Sequence, residues 1–291
     1  MDIVRFSGGL GNQMFQYAFM EALKSRGRDV KASLGYYNRH PDSMPFSLER
    51  IFSNLDIGYV SDTEFDAIDE KWKRIKQVNL QEEFCKKYLD RFFWVEDVIK
   101  EPCTYQPNVF LTKNCVFVGY WQTEKYFKNI RNILTLKFEF ANINHALKEL
   151  GDMLSDREYV SVHIRRGDYL QNPDIYMGIC TKDYYIRAIR YIQSIKPDIR
   201  VVFFSDDLNW VRNNFNIQDA VYCNEDMFGH YEDWYDMYLM SRCKYNIIAN
   251  SSFSWWGAWL NQTAQKVVIA PKKWYRFNDT PDIWCEGWIK L

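Results

Sequence analysis

The chain has 291 residues, 47% hydrophobic and 26% charged, a globular composition long enough for two domains of ordinary size. Its 37 Lys and Arg nearly cancel 38 Asp and Glu, which excludes a field that would draw nucleic acid or an anionic membrane. Any bound anion must be held locally. Seven scattered cysteines without C-x-x-C pairs fit neither a disulfide framework nor a zinc site and point to a reducing compartment.

The start, MDIVRF, has no basic segment followed by an apolar one, and no run approaches the roughly 18 apolar residues of a membrane span. The expected address is therefore the cytoplasm, with peripheral attachment to the inner face of the membrane as a variant. Aromatic residues reach 18%, with 11 Trp and 20 Tyr, which suits sugar stacking and core filling equally well.

In chain order, residues 3–7 read as a strand, followed by Gly8, Gly9 and Gly11. Met14, Phe15, Ala18, Phe19, Ala22 and Leu23 then recur at helical spacing, and 28–34 supplies a second strand. Between 36 and 107 the pattern is weaker, with a helix predicted at 62–77 and loops punctuated by Pro41, Pro45, Pro102 and Pro107. A strand at 116–120 and helices at 124–134 and 143–154 follow. Strands at 159–164, 200–205, 220–223, 245–249 and 266–270 then alternate with helices at 182–194, 209–214, 232–243 and 254–261. That alternation predicts an α/β fold with parallel sheets and ligands at the carboxyl ends of the strands. The expected lobes are 1–155 and 156–291, and the Trp-rich segment 271–291 carries no predicted element.

Four strand ends carry chemistry. In GGLGNQMFQYA (8–18), Gly9 and Gly11 permit close backbone approach, and Asn12 and Gln13 stand at a helix mouth, yet a tight turn alone explains the glycines. The spacing is not G-x-G-x-x-G, so no dinucleotide fingerprint is present. In VSVHIRRGDY (160–169), an apolar strand runs into His163, Arg165, Arg166 and Asp168. Adjacent guanidiniums cannot shed their charge, which suggests a phosphate clamp at Arg165, with Arg166 divided between phosphate and an Asp168 ion pair. In FFSDD (203–207), Asp206 and Asp207 can accept from ribose or from guanine N1 and N2, or cap the next helix. A divalent metal is set aside because no further acidic group completes an oxygen cage. In NSSFSWWGAWL (250–260), Ser251, Ser252 and Ser254 can donate to a diphosphate at a helix start, whereas N-capping explains one serine. Trp255, Trp256 and Trp259 read as core.

In this order, the four strings resemble the α-1,2-fucosyltransferases of glycosyltransferase family 11, in particular the bacterial forms without an anchor. HIRRGD is the most specific of the four. The resemblance implies a GT-B-like architecture, two facing Rossmann-like lobes with the active site in the cleft, acceptor side first and GDP-fucose on the second. It implies inverting transfer of fucose from GDP-fucose to a terminal β-galactoside glycan, with no metal or other cofactor. Carried over by position, Arg165 would stabilise the leaving diphosphate, supported by His163 and Arg166. Asp207, beside Asp206, would read guanine, and Ser252 with Asn250, Ser251, Phe253 and Ser254 would hold the diphosphate. Asn12 would approach the fucose end, flanked by Gly9, Gly11 and Gln13, and Asp168 or His163 would serve as base. The stretch 36–107 is expected to shape the acceptor pocket. Other GDP-sugar transferases, a dehydrogenase and a non-catalytic glycan-binding protein are the competing readings. The last two would leave HIRRGD without a task.

Overall fold

The computed structural model describes residues 1–61, 63–64, 93–96, 103–228, 230–276, 280 and 282–291. The helix predicted at 62–77, apart from residues 63–64, and nearly half of the stretch 36–107 assigned to the acceptor lie outside them. The described chain is α/β and divides into two compact units, 1–141 with 281–283, and 142–280 with 284–291.

In the first unit, β1 (Asp2–Arg5), β2 (Val30–Ser33), β3 (Phe93–Glu96) and β4 (Cys115–Val118) form a parallel sheet in the order β2-β1-β4-β3. Between β1 and β2 runs the helix Leu10–Lys24, buried along most of its surface. Its Phe19 stacks on Trp121 with centroids 4.4 Å apart, which joins the helix to the loop after β4. Gln13 and Gln16 are fully buried in the same helix, so each must spend its amide internally.

The second unit carries β5 (Tyr159–Ile164), β6 (Arg200–Ser205), β7 (Val221–Tyr222), β8 (Tyr245–Ile247), β9 (Val267–Ala270) and β10 (Ile289–Lys290). All pair in parallel, in the order β10-β9-β8-β5-β6-β7. Every residue of β5 is buried, as a strand covered on both faces requires. Val160, Val162 and Ile164 pack with Ala188, Ile189 and Ile192 of the helix Lys182–Ile195 and with Val201 and Phe203 of β6. The tail, read as having no element, closes one edge of this sheet through β10, where Ile289 pairs with Ile269.

The second unit begins at residue 142, ahead of the division at 155 expected from sequence, because the helix His145–Asp156 packs within it. Leu147 and Leu154 are fully buried, and the helix cap Asn144 donates to the Tyr235 hydroxyl at 3.2 Å. The helices Trp234–Arg242 and Ser252–Leu260 meet at Gly257, where a Cβ would lie 2.9 Å from that of Met240. Trp255, Trp256 and Trp259 are completely buried, so this tryptophan run is core.

Asp236, buried in the helix Trp234–Arg242, accepts from the Cys223 thiol at 3.4 Å. Burial pushes its carboxyl up from 3.8 to about 7, against the pull of hydrogen bonds from Tyr231 and Cys223, and Asp233 adds to the rise. Between those values the folded chain holds a proton that the unfolded chain has lost, so this group's contribution to stability falls as pH rises through that window. Asp236→Asn should therefore gain melting temperature relative to the parent as pH rises from about 4 to about 7, and hold that gain above it. Parallel melting curves of the two proteins across that range would expose a wrong assignment of the protonated state.

Candidate active site

In the second unit, β5, β6 and β7 extend the sheet one way and β8, β9 and β10 the other. The sheet therefore changes its direction of growth between β5 and β8, the place where open α/β sheets form a ligand crevice beyond their carboxyl ends. The β5–β8 ladder stops at Val162 and Ile247. Just beyond it lie the arginine turn on one side and the serine turn on the other.

Arg165 donates through Nε to Asp168 at 2.8 Å and through Nη1 to Asp206 at 3.1 Å, with about a third of its side chain exposed. Arg166 points elsewhere. Its Nε donates to Asp207 at 3.0 Å, and its guanidinium lies 4.0 Å from the centroid of the Trp210 ring. The expected Arg166–Asp168 pair is thus corrected to Arg165–Asp168. The cause is Asp206, which accepts the backbone N–H of Arg166 at 2.9 Å and of Gly167 at 3.0 Å. This grip fixes the turn and begins the helix Gly167–Gln171, which sets Asp168 beside Arg165.

Both acidic residues of FFSDD are therefore occupied. Asp207 Oδ1 accepts the Trp210 N–H at 3.0 Å and caps the helix Leu208–Asn214, and its other oxygen takes Arg166. The Trp210 N–H and Arg166 together hold this carboxyl below its ordinary range. Of the two readings of Asp207, the structure displays the cap. Asp207→Ala should cost about 1 kcal/mol of stability, a few degrees of melting temperature, through the lost cap. An unchanged melting temperature in Asp207→Ala would overturn the capping role.

His163 is buried on β5 with Nδ1 lacking a hydrogen-bond partner, its ring 5.9 Å from that of Phe253. Burial, with the charge of Arg165 adding to it, pushes the imidazole down to about 3, so it is neutral at physiological pH. A buried ring nitrogen without a partner beside a helix start calls for a ligand.

The helix Ser252–Leu260 makes its first intrahelical bond from Trp255 N–H to the Ser251 carbonyl at 3.0 Å. The N–H groups of Ser252, Phe253 and Ser254 precede that bond, and no side chain caps them. Ser252 and Phe253 are partly exposed there. Ser254 is not available: it is fully buried and donates to the Ala249 and Ser251 carbonyls at 3.4 and 3.3 Å. Asn250 also turns inward, its Nδ2 donating to the Trp274 carbonyl at 2.8 Å and its Oδ1 accepting the Cys180 thiol at 3.3 Å.

In the first unit, Gly8 takes φ of +77° between β1 and the helix, where a Cβ would meet Asn12 Nδ2 at 2.8 Å. Asn12 is aimed by Gln122, which donates to its Oδ1 at 2.8 Å. Gly9 is the residue before the helix and Gly11 is buried in its first turn. Gln13, expected to face a ligand, instead staples the turn. Its Nε2 donates to the Gly8 and Pro45 carbonyls at 2.9 and 2.8 Å, and its Oε1 accepts the Ser47 N–H at 3.0 Å.

The sequence model of glycosyl transferase family 11 matches residues 1–291. The chain belongs to that family. An α-1,2-colitosyltransferase of Escherichia coli is 34% identical over 97% of each chain. An O-antigen biosynthesis glycosyltransferase of the same organism is 33% identical over 98% of each. A galactoside 2-alpha-L-fucosyltransferase of Bos taurus is 24% identical over 88% of this chain and 63% of its own length. The chain is thus a glycosyltransferase of family 11, as its four strings led one to expect. No helix among the described residues is long and apolar enough to cross a membrane.

Proposed function

We propose that this family 11 enzyme transfers fucose, with inversion, from GDP-fucose to a hydroxyl of a terminal β-galactoside glycan, forming an α-1,2 linkage. The observation that supports the proposal is that the neighbouring strands β5 and β8 end, one in the turn carrying Arg165 and the other in the turn that opens the uncapped helix Ser252–Leu260. A diphosphate between them would meet a cation on one side and N–H groups on the other.

As the bond from the fucose anomeric carbon to the β-phosphate oxygen breaks, positive charge grows on the sugar and negative charge on GDP. Arg165 and the N–H groups of Ser252 and Phe253 are placed for that growing negative charge, which preorganised donors favour over the ground state. Neutral His163 lies buried beneath the arginine turn and adds no charge to compete with Arg165 for the nucleotide. The acceptor oxygen forms the new bond from the opposite face, and its proton passes to a base. Asp168, which aims Arg165 through one oxygen, is the carboxylate of that turn suited to the role.

The same geometry suits a reaction without a metal. Asp206 and Asp207 spend their oxygens on Arg165, Arg166 and three backbone N–H groups rather than on a cage for a cation. Turnover in excess EDTA should therefore stay within about twofold of that with magnesium. Loss in EDTA with recovery on adding a divalent ion would overturn this part.

A second donor is favoured by a relative named as a colitosyltransferase. Colitose is fucose without its 3-hydroxyl, and the diphosphate grip is blind to that difference. Melting curves with GDP, UDP, ADP, NAD and free fucose test the nucleotide assignment, since a ligand that binds the native state raises its stability. Selective stabilisation by GDP is expected. A response to NAD, or to free sugar alone, would overturn the assignment.

A further inference from the structure

We infer that Tyr169 is a positioning residue that ties the arginine turn to the serine turn and so sets the width of the diphosphate grip. This rests on the reading of that crevice as a diphosphate site, though not on guanine as the base. Beyond Val162 and Ile247 the β5–β8 ladder no longer holds the two strand ends at a fixed spacing. Three residues after Ile247 stands Asn250, and seven after Val162 stands Tyr169, on the short helix that the arginine turn begins. The Tyr169 hydroxyl donates to the Asn250 carbonyl at 2.6 Å, bridging 81 residues of sequence.

Both ends of this strut are braced. The Tyr169 ring stacks on that of Tyr176 at 3.9 Å with planes 10° apart. Asn250 is held by Trp274 and Cys180 through its two side-chain ends. The residue beyond Asn250 is Ser251, which precedes the helix whose N-terminus faces the crevice. Burial raises the Tyr169 hydroxyl well above its ordinary range, so it remains a donor throughout the working pH range. A cation and a helix start that must grip one diphosphate depend on their mutual distance, and small errors in placement are costly to catalysis. None of Tyr169's own atoms need touch the substrate.

Tyr169→Phe removes the hydroxyl and keeps the stacked ring, so folding should survive. Calorimetric titration with inorganic pyrophosphate and with GDP, beside steady-state kinetics and a melting curve, reads the role. Affinity for both ligands should weaken by the same factor, about threefold to tenfold, while kcat falls about tenfold or more, as expected when the grip itself widens. A lowered melting temperature with parental kcat and parental pyrophosphate affinity would overturn the proposal, because a merely structural tyrosine moves only the first. Should the variant fail to fold, Tyr176→Leu, which loosens the stack and keeps the hydroxyl, must show the same common factor for pyrophosphate and GDP or the strut is refuted. If the parent binds pyrophosphate but not GDP, the guanine assignment fails while this test still reads Tyr169. Absence of any diphosphate binding by the parent would remove both.

Discussion

Arg165→Lys should lower kcat at least about a hundredfold, close to 3 kcal/mol of transition-state stabilisation, while GDP affinity falls much less. The substitution keeps the charge and removes the planar fork. In the structure one edge of that fork is held by Asp168 and a second nitrogen by Asp206, so the guanidinium is fixed in orientation before any ligand arrives. An ammonium is a compact charge that cannot hold two carboxylates in this geometry and still present a further pair of in-plane N–H groups to phosphate oxygens. Arg166→Lys is the internal control. Its partners are Asp207 and the face of Trp210, so it should cost stability and leave turnover closer to the parent. Steady-state kinetics on both variants, with melting curves, decide the matter. Near-parental turnover in Arg165→Lys beside a folded but inactive Arg166→Lys would exchange the two roles.

Asp206→Asn should be nearly as damaging, and by a different route. Two carboxylate oxygens accept the N–H groups of Arg166 and Gly167, and one also takes Arg165. An amide in the same place presents one oxygen and one NH2, so a donor would face a backbone donor. Leaving such a group unsatisfied costs roughly 1 to 3 kcal/mol. The arginine turn would shift away from its present spacing, and Gly167 offers no slack, because a Cβ there would already stand 2.9 Å from Asp206 Oδ2. We expect kcat to fall about thirtyfold or more with a lower melting temperature. Restored stability at low turnover in a suppressor variant would separate the two effects. An Asp206→Asn protein with parental kcat would show that the carboxylate does not hold the catalytic geometry.

Much of this architecture was legible before any coordinates. The alternation of apolar strands with helices of period 3.6 placed β5 and β6 to the residue and the helix Lys182–Ile195 to within one, because burial on both faces leaves a dense apolar signature. Elements held by tertiary contacts were not legible. Two residues of β10 carry no pattern of their own and form only because β9 offers an edge. At 124–134, where one helix was expected, the chain makes the 3₁₀ turns Glu124–Tyr126 and Lys128–Ile130 before the helix Arg131–Lys137.

The polar residues of the site show the same limit more sharply. A sequence places Gln13, Ser254 and Asn250 at strand ends, yet cannot show that each has already spent its hydrogen bonds on neighbouring carbonyls and N–H groups. It also left Arg166 divided between a phosphate and Asp168. The choice was made by Asp206, forty residues away in sequence, through backbone hydrogen bonds that no local pattern encodes. Tyr169 closes the string VSVHIRRGDY without a role that the sequence could assign. Its signal is the stacked pair with Tyr176, visible only in three dimensions.

The central claim is that this chain moves a 6-deoxyhexose from GDP to the 2-hydroxyl of a β-galactoside, and its most direct test is mass spectrometry of the reaction itself. The purified protein is incubated with GDP-fucose, and separately with GDP-colitose, beside a panel of β-galactoside acceptors in excess EDTA, and the product linkage is then determined. The account predicts addition of a single deoxyhexose at galactose O2, with inversion at the anomeric carbon. No product from either GDP-sugar, alongside transfer from a UDP- or ADP-linked donor, would contradict it.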